Sequence, residues 1–392
     1  MAYESRGYLK MKIRPIAIYL PQFHPVPEND EWWGKGFTEW RNVAKAKPLF
    51  EGHYQPHLPA DLGFYDLRLS EAREAQATLA KEYGIYGFCY YHYWFNGKRI
   101  LERPFQEVFE SGKPDFPFML CWANENWTRR WDGQDQEVLL KQEHSEEDDR
   151  KHIRALLPYF KDDRYIKVDG KPVFAIYRST HIPALEKTIR IWREEAAKEG
   201  IELYICRFEN FGQFGKSYLE CGFDAAIEFQ PFAKNFYLLR EQLIKRWYKG
   251  NSGLRVCQKF LKIIGLQKKA ARIVNNYLEK FKDHYDYNEF VDYNISHPCR
   301  PADYTLFPGA TPSWDNTARR GNKAAVFTHA NPGKFKEWLM AIKQGYNPAD
   351  AEKNFIFINA WNEWAEGNHL EPCQKWGTAY LEAIREVFGS DH

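Results

Sequence analysis

Apolar and polar positions repeat a two-part unit along this chain. Short apolar runs that end in polar or aromatic residues occur at Arg14 to Phe23, Gly84 to Tyr93, Phe116 to Ala123 and Pro172 to Arg178. Four more follow at Ile201 to Phe208, Asp224 to Gln230, Tyr304 to Pro312 and Asn354 to Asn359. Their β-branched and aromatic content predicts strands. Stretches with apolar residues three and four apart separate most of them, at Ser70 to Tyr83, Asp148 to Tyr159, Ile182 to Gly200 and Gly333 to Gln344, and Thr378 to Phe388 closes the chain. That spacing predicts helices. Eight strands alternating with helices predict an α/β fold, a parallel sheet closed into a (β/α)8 TIM barrel, with 1–392 as one domain.

Two segments break the alternation. Pro25 to Leu67, between strands one and two, is rich in Pro, Gly and Trp, and a loop of that length is expected to wall a binding cleft. Between strands six and seven, 235–292 reads as a basic helical insertion: Asn235 to Lys282 holds twelve Lys or Arg against Glu241 and Glu279, interleaved with Leu, Ile, Phe, Trp and Tyr. Such a segment is either a solvated helical face or a surface for anionic lipid, a lipid-linked glycan or an acidic partner.

Composition narrows the function classes. A formal charge of +2 argues against nucleic acid as a partner. Aromatic residues make up 17% of the chain, with 14 Trp, more than a core requires, so some rings are expected to face a ligand. The seven cysteines, Cys89, Cys121, Cys206, Cys221, Cys257, Cys299 and Cys373, show no CxxC spacing and read as reduced thiols of a cytosolic protein. The polar start, and an apolar run of only Ile16 to Leu20 between Pro15 and Pro21, predict neither export signal nor membrane span. The expected location is the cytoplasm, at the inner membrane if the insertion meets lipid. Met11 is an alternative start.

The chemistry gathers at the predicted strand ends, where barrels of this kind carry their sites. Strand one ends in Tyr19-Leu-Pro-Gln-Phe-His24, strand two in Tyr90-Tyr-His-Tyr-Trp94, and strand three in Trp122-Ala-Asn-Glu-Asn-Trp127. Strand eight runs into Asn359-Ala-Trp-Asn-Glu-Trp-Ala-Glu-Gly-Asn-His-Leu-Glu-Pro372. Carboxylates transfer protons and indole faces pack on sugar C–H surfaces, so this is the composition of a sugar-cleaving site. Glu363 and Glu366, three residues apart, reach one face of a sugar more easily than they straddle it. A conventional pair drawn from Glu125 and Glu363 is the rival, with Glu228 a further carboxylate near a strand end.

The expected cleft is walled by Trp33, Trp40, Tyr91, His92, Trp94, Trp122, Trp127 and Trp314, with Tyr19, His24, Glu39, Asn124, Asn362 and Trp364 among the substrate contacts. Glu371 reads as structural or as a hydroxyl ligand. Arg129 and Arg130 would fork an anionic substituent or pair with Asp132 or Asp135. His53 and His57 are four apart, but Pro56 spoils a helical metal pair, and no metal site is expected. The absence of GxGxxG, Walker and Asp-x-Asp patterns gives no signature of a nucleotide or a diphosphate-bound metal.

The run Asn362-Glu-Trp-Ala-Glu-Gly-Asn-His-Leu-Glu-Pro372 resembles the catalytic segment of the family 99 glycoside hydrolases, the endo-α-mannosidases and endo-α-mannanases. Together with Ala17-Ile-Tyr-Leu-Pro-Gln-Phe-His-Pro25, Trp32-Trp-Gly-Lys-Gly-Phe-Thr-Glu-Trp40 and Trp122-Ala-Asn-Glu-Asn-Trp-Thr-Arg-Arg-Trp-Asp-Gly133, it is similar to the WbsX-like proteins of bacterial polysaccharide clusters. The resemblance implies a (β/α)8 barrel that needs no cofactor and acts with retention through the sugar's own 2-hydroxyl. Glu363 would take the hydroxyl proton as a 1,2-anhydro sugar forms, and Glu366 would protonate the leaving oxygen. The family histidine between the two glutamates is Ala365 here, which leaves the manno specificity open. The implied activity is endo-type hydrolysis or transglycosylation of α-linked, mannoside-like bonds in a surface polysaccharide. The alternatives are a glycosyltransferase of O-antigen or capsule synthesis and a non-catalytic glycan-binding protein.

Overall fold

The computed structural model describes residues 12–129, 134–250, 283–348 and 350–389, with isolated positions between 253 and 266. All eight expected strands form: β1 Arg14–Tyr19, β2 Gly87–Phe95, β3 Phe118–Trp122, β4 Lys171–Ile176, β5 Tyr204–Glu209, β6 Ala225–Glu228, β7 in two pieces (Leu306–Phe307 and Gly309–Ala310) and β8 Phe355–Ile358. Each is a nearly continuous buried apolar run, as expected where helices cover a parallel sheet. Neighbours pair in parallel around the ring, and β1 pairs with β8.

The seam of the barrel lies in β7. Its first piece bonds to β6 and its second to β8, with Pro308 between them. Proline offers no N–H, and its carbonyl accepts from Phe357 N at 2.9 Å. A Cβ on Gly309 would stand 2.0 Å from the Glu228 carbonyl oxygen, so only glycine lets the two strands meet there.

The helices, in chain order, are α1 Pro27–Trp33, α2 Glu39–Lys45, α3 Ser70–Glu82, α4 Arg103–Ser111, α5 Glu146–Phe160 and α6 Leu185–Ala197. They continue with α7 Lys234–Gly250, α8 Tyr287–Ser296, α9 Thr317–Arg320, α10 Pro332–Gly345 and α11 Ala379–Phe388. Local signals set their starts. Ser145 caps α5 by accepting from Asp148 N at 3.1 Å, with four acidic residues in the first turn. Asn331 caps α10 ahead of Pro332.

The long β1–α3 connection is not structureless, because α1 and α2 lie within it and lay Trp33 and Glu39 against the barrel mouth. Of the basic insertion, α7 and α8 are described, whereas most of 251–282 lies outside the described residues. Val256, Phe260, Ile263 and Leu266 are exposed. Cys89, Cys121, Cys206, Cys221, Cys299 and Cys373 are free thiols. Among the described residues no helix is long and apolar enough to cross a membrane.

Candidate active site

A cavity of about 340 Å³ opens at the carboxyl ends of the strands. Every strand delivers residues to it: Leu20 and Gln22 after β1, Tyr91 and Tyr93 on β2, Ala123 and Glu125 after β3, Tyr177 after β4, Phe211 after β5, and Phe229 after β6. Trp314, Asn316 and Arg319 follow β7, and Glu363 and Glu366 follow β8. Trp33, Trp127, Phe232 and Arg320 also line it.

Strand alternation decides which aromatic residues reach it. Successive side chains of a strand point to opposite faces. On β2, Tyr91 and Tyr93 line the cavity, while His92 and Trp94 turn the other way onto α5. His92 Nε2 lies 3.0 Å from His152 Nε2, and the Trp94 indole donates to Asp148 at 3.0 Å. Trp122 likewise packs between His152 and Trp192. Tyr19 donates to Gln76 on α3 at 2.7 Å. His24 is buried without facing the cavity, and burial lowers its pKa to about 4. Trp40 sits behind the wall, donating to the Tyr65 carbonyl at 2.8 Å and packing on Trp364. These six expected contacts therefore stand outside the cavity lining.

Two asparagines act on backbone. Asn362 accepts from Leu20 N at 2.7 Å and donates to Leu20 O at 3.0 Å, which fixes the β8 run to the end of β1. Asn124 does the same to Arg178, at 2.8 and 2.9 Å. Glu125 remains on the cavity wall, paired with Arg178 at 3.2 Å. The side chains of Arg129 and Arg130 lie outside the described residues.

The charged centre is one guanidinium among three carboxylates. Arg319, on α9, meets Glu363 Oε2 at 2.9 Å, Glu366 Oε1 at 2.6 Å and Glu39 Oε2 at 3.1 Å. Glu39 is fully buried behind the pair and reaches the site through Arg319. Burial pushes the Glu366 carboxyl up to about 8, Glu363 beside it adds to the rise, and Arg319 opposes it. Glu363 is also raised, by burial first, against the pull of Arg319. Neighbouring carboxyls of like charge resist ionising together, so one proton is retained near neutrality.

Glu371 sits apart, accepting from Tyr65 Oη at 2.9 Å, Gln76 Nε2 at 2.7 Å and Trp364 Nε1 at 2.6 Å. Its contacts are structural in kind. Glu228, near the end of β6, accepts from Gly309 N at 3.1 Å and is absent from the cavity wall.

Sequence reading missed Arg319, Tyr93, Tyr177, Phe229 and Asn316. The alternation that exposes Tyr91 also selects Tyr93, so that signal was available. Arg319 lay five residues past the expected wall residue Trp314, in a segment without periodic pattern.

The family described as Glycosyltransferase WbsX matches residues 15–384. The chain belongs to this family. It is 40% identical over 376 residues to a protein of Xanthomonas campestris pv. campestris strain B100 described as uncharacterized protein WxcX, and equally so to its counterpart in another strain. The match covers 95% of this chain and 49% of that relative, so the chain spans about half the length of the curated relatives it matches. Among solved structures, the GH99 endo-α-mannosidase of Bacteroides thetaiotaomicron superposes with a TM-score of 0.53 at 13% identity, over 96% of both chains. A glycoside hydrolase-like protein gives 0.55 at 14% identity, over 97% of this chain and 95% of its own. This WbsX family member thus has the barrel fold of the GH99 structure.

Proposed function

We propose that the protein is an enzyme that breaks or transposes an α-linked, mannoside-like bond of a bacterial surface glycan, with Glu363 and Glu366 as the catalytic pair. The observation that carries this reading is their common position on the cavity wall, each held by Arg319 from one short segment. Carboxyls placed side by side suit participation of a substrate hydroxyl better than a straddling nucleophile and acid.

In the first step Glu363 takes the proton of the 2-hydroxyl, O2 bonds to C1, the glycosidic bond breaks, and the leaving oxygen takes the Glu366 proton. In the second, Glu366 takes a proton from water or a sugar hydroxyl as its oxygen bonds to C1, the C1–O2 bond breaks, and O2 regains its proton from Glu363. The raised Glu366 carboxyl supports the acid role near neutrality. Aromatic faces at Trp33, Trp127 and Trp314 suit sugar packing.

Transfer and hydrolysis differ here only in what attacks C1, and the family's glycosyltransferase description favours keeping transfer as the second reading. The test is mass spectrometry of products from a panel of α-linked oligosaccharides with wild type and Glu366→Gln. Lost turnover with retained binding is expected, and turnover should fall as pH rises through about 8, where the acid loses its proton. Undiminished turnover in the variant would refute the assignment; an inert wild type that binds glycans would leave a binding protein.

The insertion supplies a partner reading. Val256, Phe260 and Ile263 recur at helical spacing and are 68%, 61% and 82% exposed, within a segment whose charge is overwhelmingly basic. That combination suits peripheral contact with anionic lipid, where a lipid-linked glycan would be presented. Flotation with phosphatidylglycerol vesicles should carry the protein, and replacing the three residues with serine should release it. Protein that never floats would retire the idea.

A further inference from the structure

Behind Trp314 lies a second cavity, of about 220 Å³, that the reaction outlined above does not use. Three segments of the catalytic face build it: the β1–α3 connection, the residues after β7, and the continuation of the glutamate run. Trp314 lines both cavities, and the residue is only 4% exposed with no partner for Nε1–H among the described residues. A buried donor of this kind is normally satisfied, so the shared wall is short of an acceptor.

The lining combines flat apolar faces with hydroxyl-binding groups. Phe50, Tyr54 and Trp376 supply rings, and Lys375 Nζ lies 4.5 Å from the Tyr54 centroid and 5.0 Å from that of Trp376. Four of the chain's 12 histidines, His53, His57, His329 and His369, converge here.

Their hydrogen bonds assign them different tasks. His53 Nδ1 accepts from Leu49 N at 2.9 Å, so its proton is on Nε2 and is donated to Asp315 at 2.6 Å. His369 spends Nδ1 on the Glu371 carbonyl and stacks on Trp364 at 3.7 Å. His57 Nδ1 contacts His369 Nε2 at 3.1 Å, and His329 Nδ1 contacts Asp286 at 2.8 Å, which leaves the Nε2 atoms of His57 and His329 as each ring's second polar atom. Among the described residues no three His, Cys, Asp or Glu are arranged to hold a metal ion, so these rings present hydrogen-bonding edges instead. Burial keeps His57 neutral, with a pKa near 4, and a neutral ring whose Nδ1 proton goes to His369 offers a hydroxyl an acceptor at Nε2.

The cavity also abuts the catalytic segment, since Asp315 N donates to the Glu366 carbonyl at 2.6 Å. We propose that it is a second carbohydrate subsite, holding one pyranose ring of the glycan whose scissile bond lies at Glu363 and Glu366, with the chain passing over Trp314. This inference rests on the catalytic reading above. It predicts an enzyme that measures the length of its substrate, because a glycan occupying both cavities gains contacts a disaccharide cannot make.

The experiment is calorimetric titration of the Glu366→Gln protein with α-linked manno-, gluco- and galacto-oligosaccharides of two to six sugars, with and without Trp376→Ala. Trp376 is half-buried on the rim, and Lys375→Ala, at an exposed position, is a second variant should the first fold poorly. Affinity should step up about tenfold at the length that reaches past Trp314, and either variant should erase that step while leaving the disaccharide unchanged. A step that survives both variants, or equal weakening at every length, would overturn the second subsite and leave the catalytic reading standing. Failure of every oligosaccharide to bind would overturn both.

Discussion

Two groups of carboxylates lie within nine residues of each other on the segment after β8, and they differ in what surrounds them. Glu363 and Glu366 share a guanidinium and open onto a cavity, whereas Glu371 is enclosed by neutral donors from Tyr65, Gln76 and Trp364. Burial raises the pKa in both groups, to about 8 at Glu366 and about 7 at Glu371. A perturbed carboxyl alone therefore does not mark a reacting group. Access to a cavity and a countercharge that holds two carboxyls together distinguish Glu363 and Glu366, the proposed reacting pair, from Glu371.

Removing the countercharge should have the largest effect. Arg319→Met leaves the buried Glu39 and Glu363 and the partly exposed Glu366 without their cation, and urea denaturation at pH 7 should show a loss of about 3–5 kcal/mol together with lost turnover. Normal stability would mean that Arg319 contributes little to holding the cluster. Next comes Glu371. Its folded pKa of about 7 lies above the ordinary value of 4.5, so folding favours the protonated form. That stabilisation is complete below about 4.5 and is lost as pH rises through about 7, worth roughly 3 kcal/mol by the size of the shift. Glu371→Gln should flatten this part of the melting temperature against pH, at a constant cost from the donor it sets against the donors already there. An unchanged slope would place the titration elsewhere. The smallest effect is expected for Trp94→Phe, which removes an indole donor from Asp148 on the outer face of β2. The change in kcat should stay within a few-fold, whereas Trp127→Ala on the cavity wall should raise KM; equal losses in both would contradict the separation of faces.

The barrel was legible because its strands are buried on both sides and so appear as unbroken apolar runs with turn formers between them. All eight strands and the helices α3, α5, α6, α10 and α11 followed from that pattern. The cavity was legible only in part. Trp33, Tyr91, Glu125, Trp127, Trp314, Glu363 and Glu366 reach its wall, but a strand end rich in aromatics contributes every second residue, which sends His92, Trp94 and Trp122 to the helices. The partnership of Arg319 with Glu39 spans 280 positions and is set by how α2 and α9 pack at the barrel mouth, information that no local pattern contains.

Asn362 and Asn124 carry a further consequence. A carboxamide presents the same donor and acceptor as a peptide group, so each asparagine acts as a stretch of main chain supplied from the side. The hydrogen-bonded ring is thereby continued past the last residues of β1, β3, β4 and β8, into segments that are irregular by dihedral angle. The acids stand on scaffold that behaves as sheet, while Tyr177, Phe211, Phe229 and Trp314 of the wall stand on loops. On the proposed catalytic reading, those loop residues can be exchanged without disturbing the hydrogen bonds that hold the segment of Glu363 and Glu366 to β1.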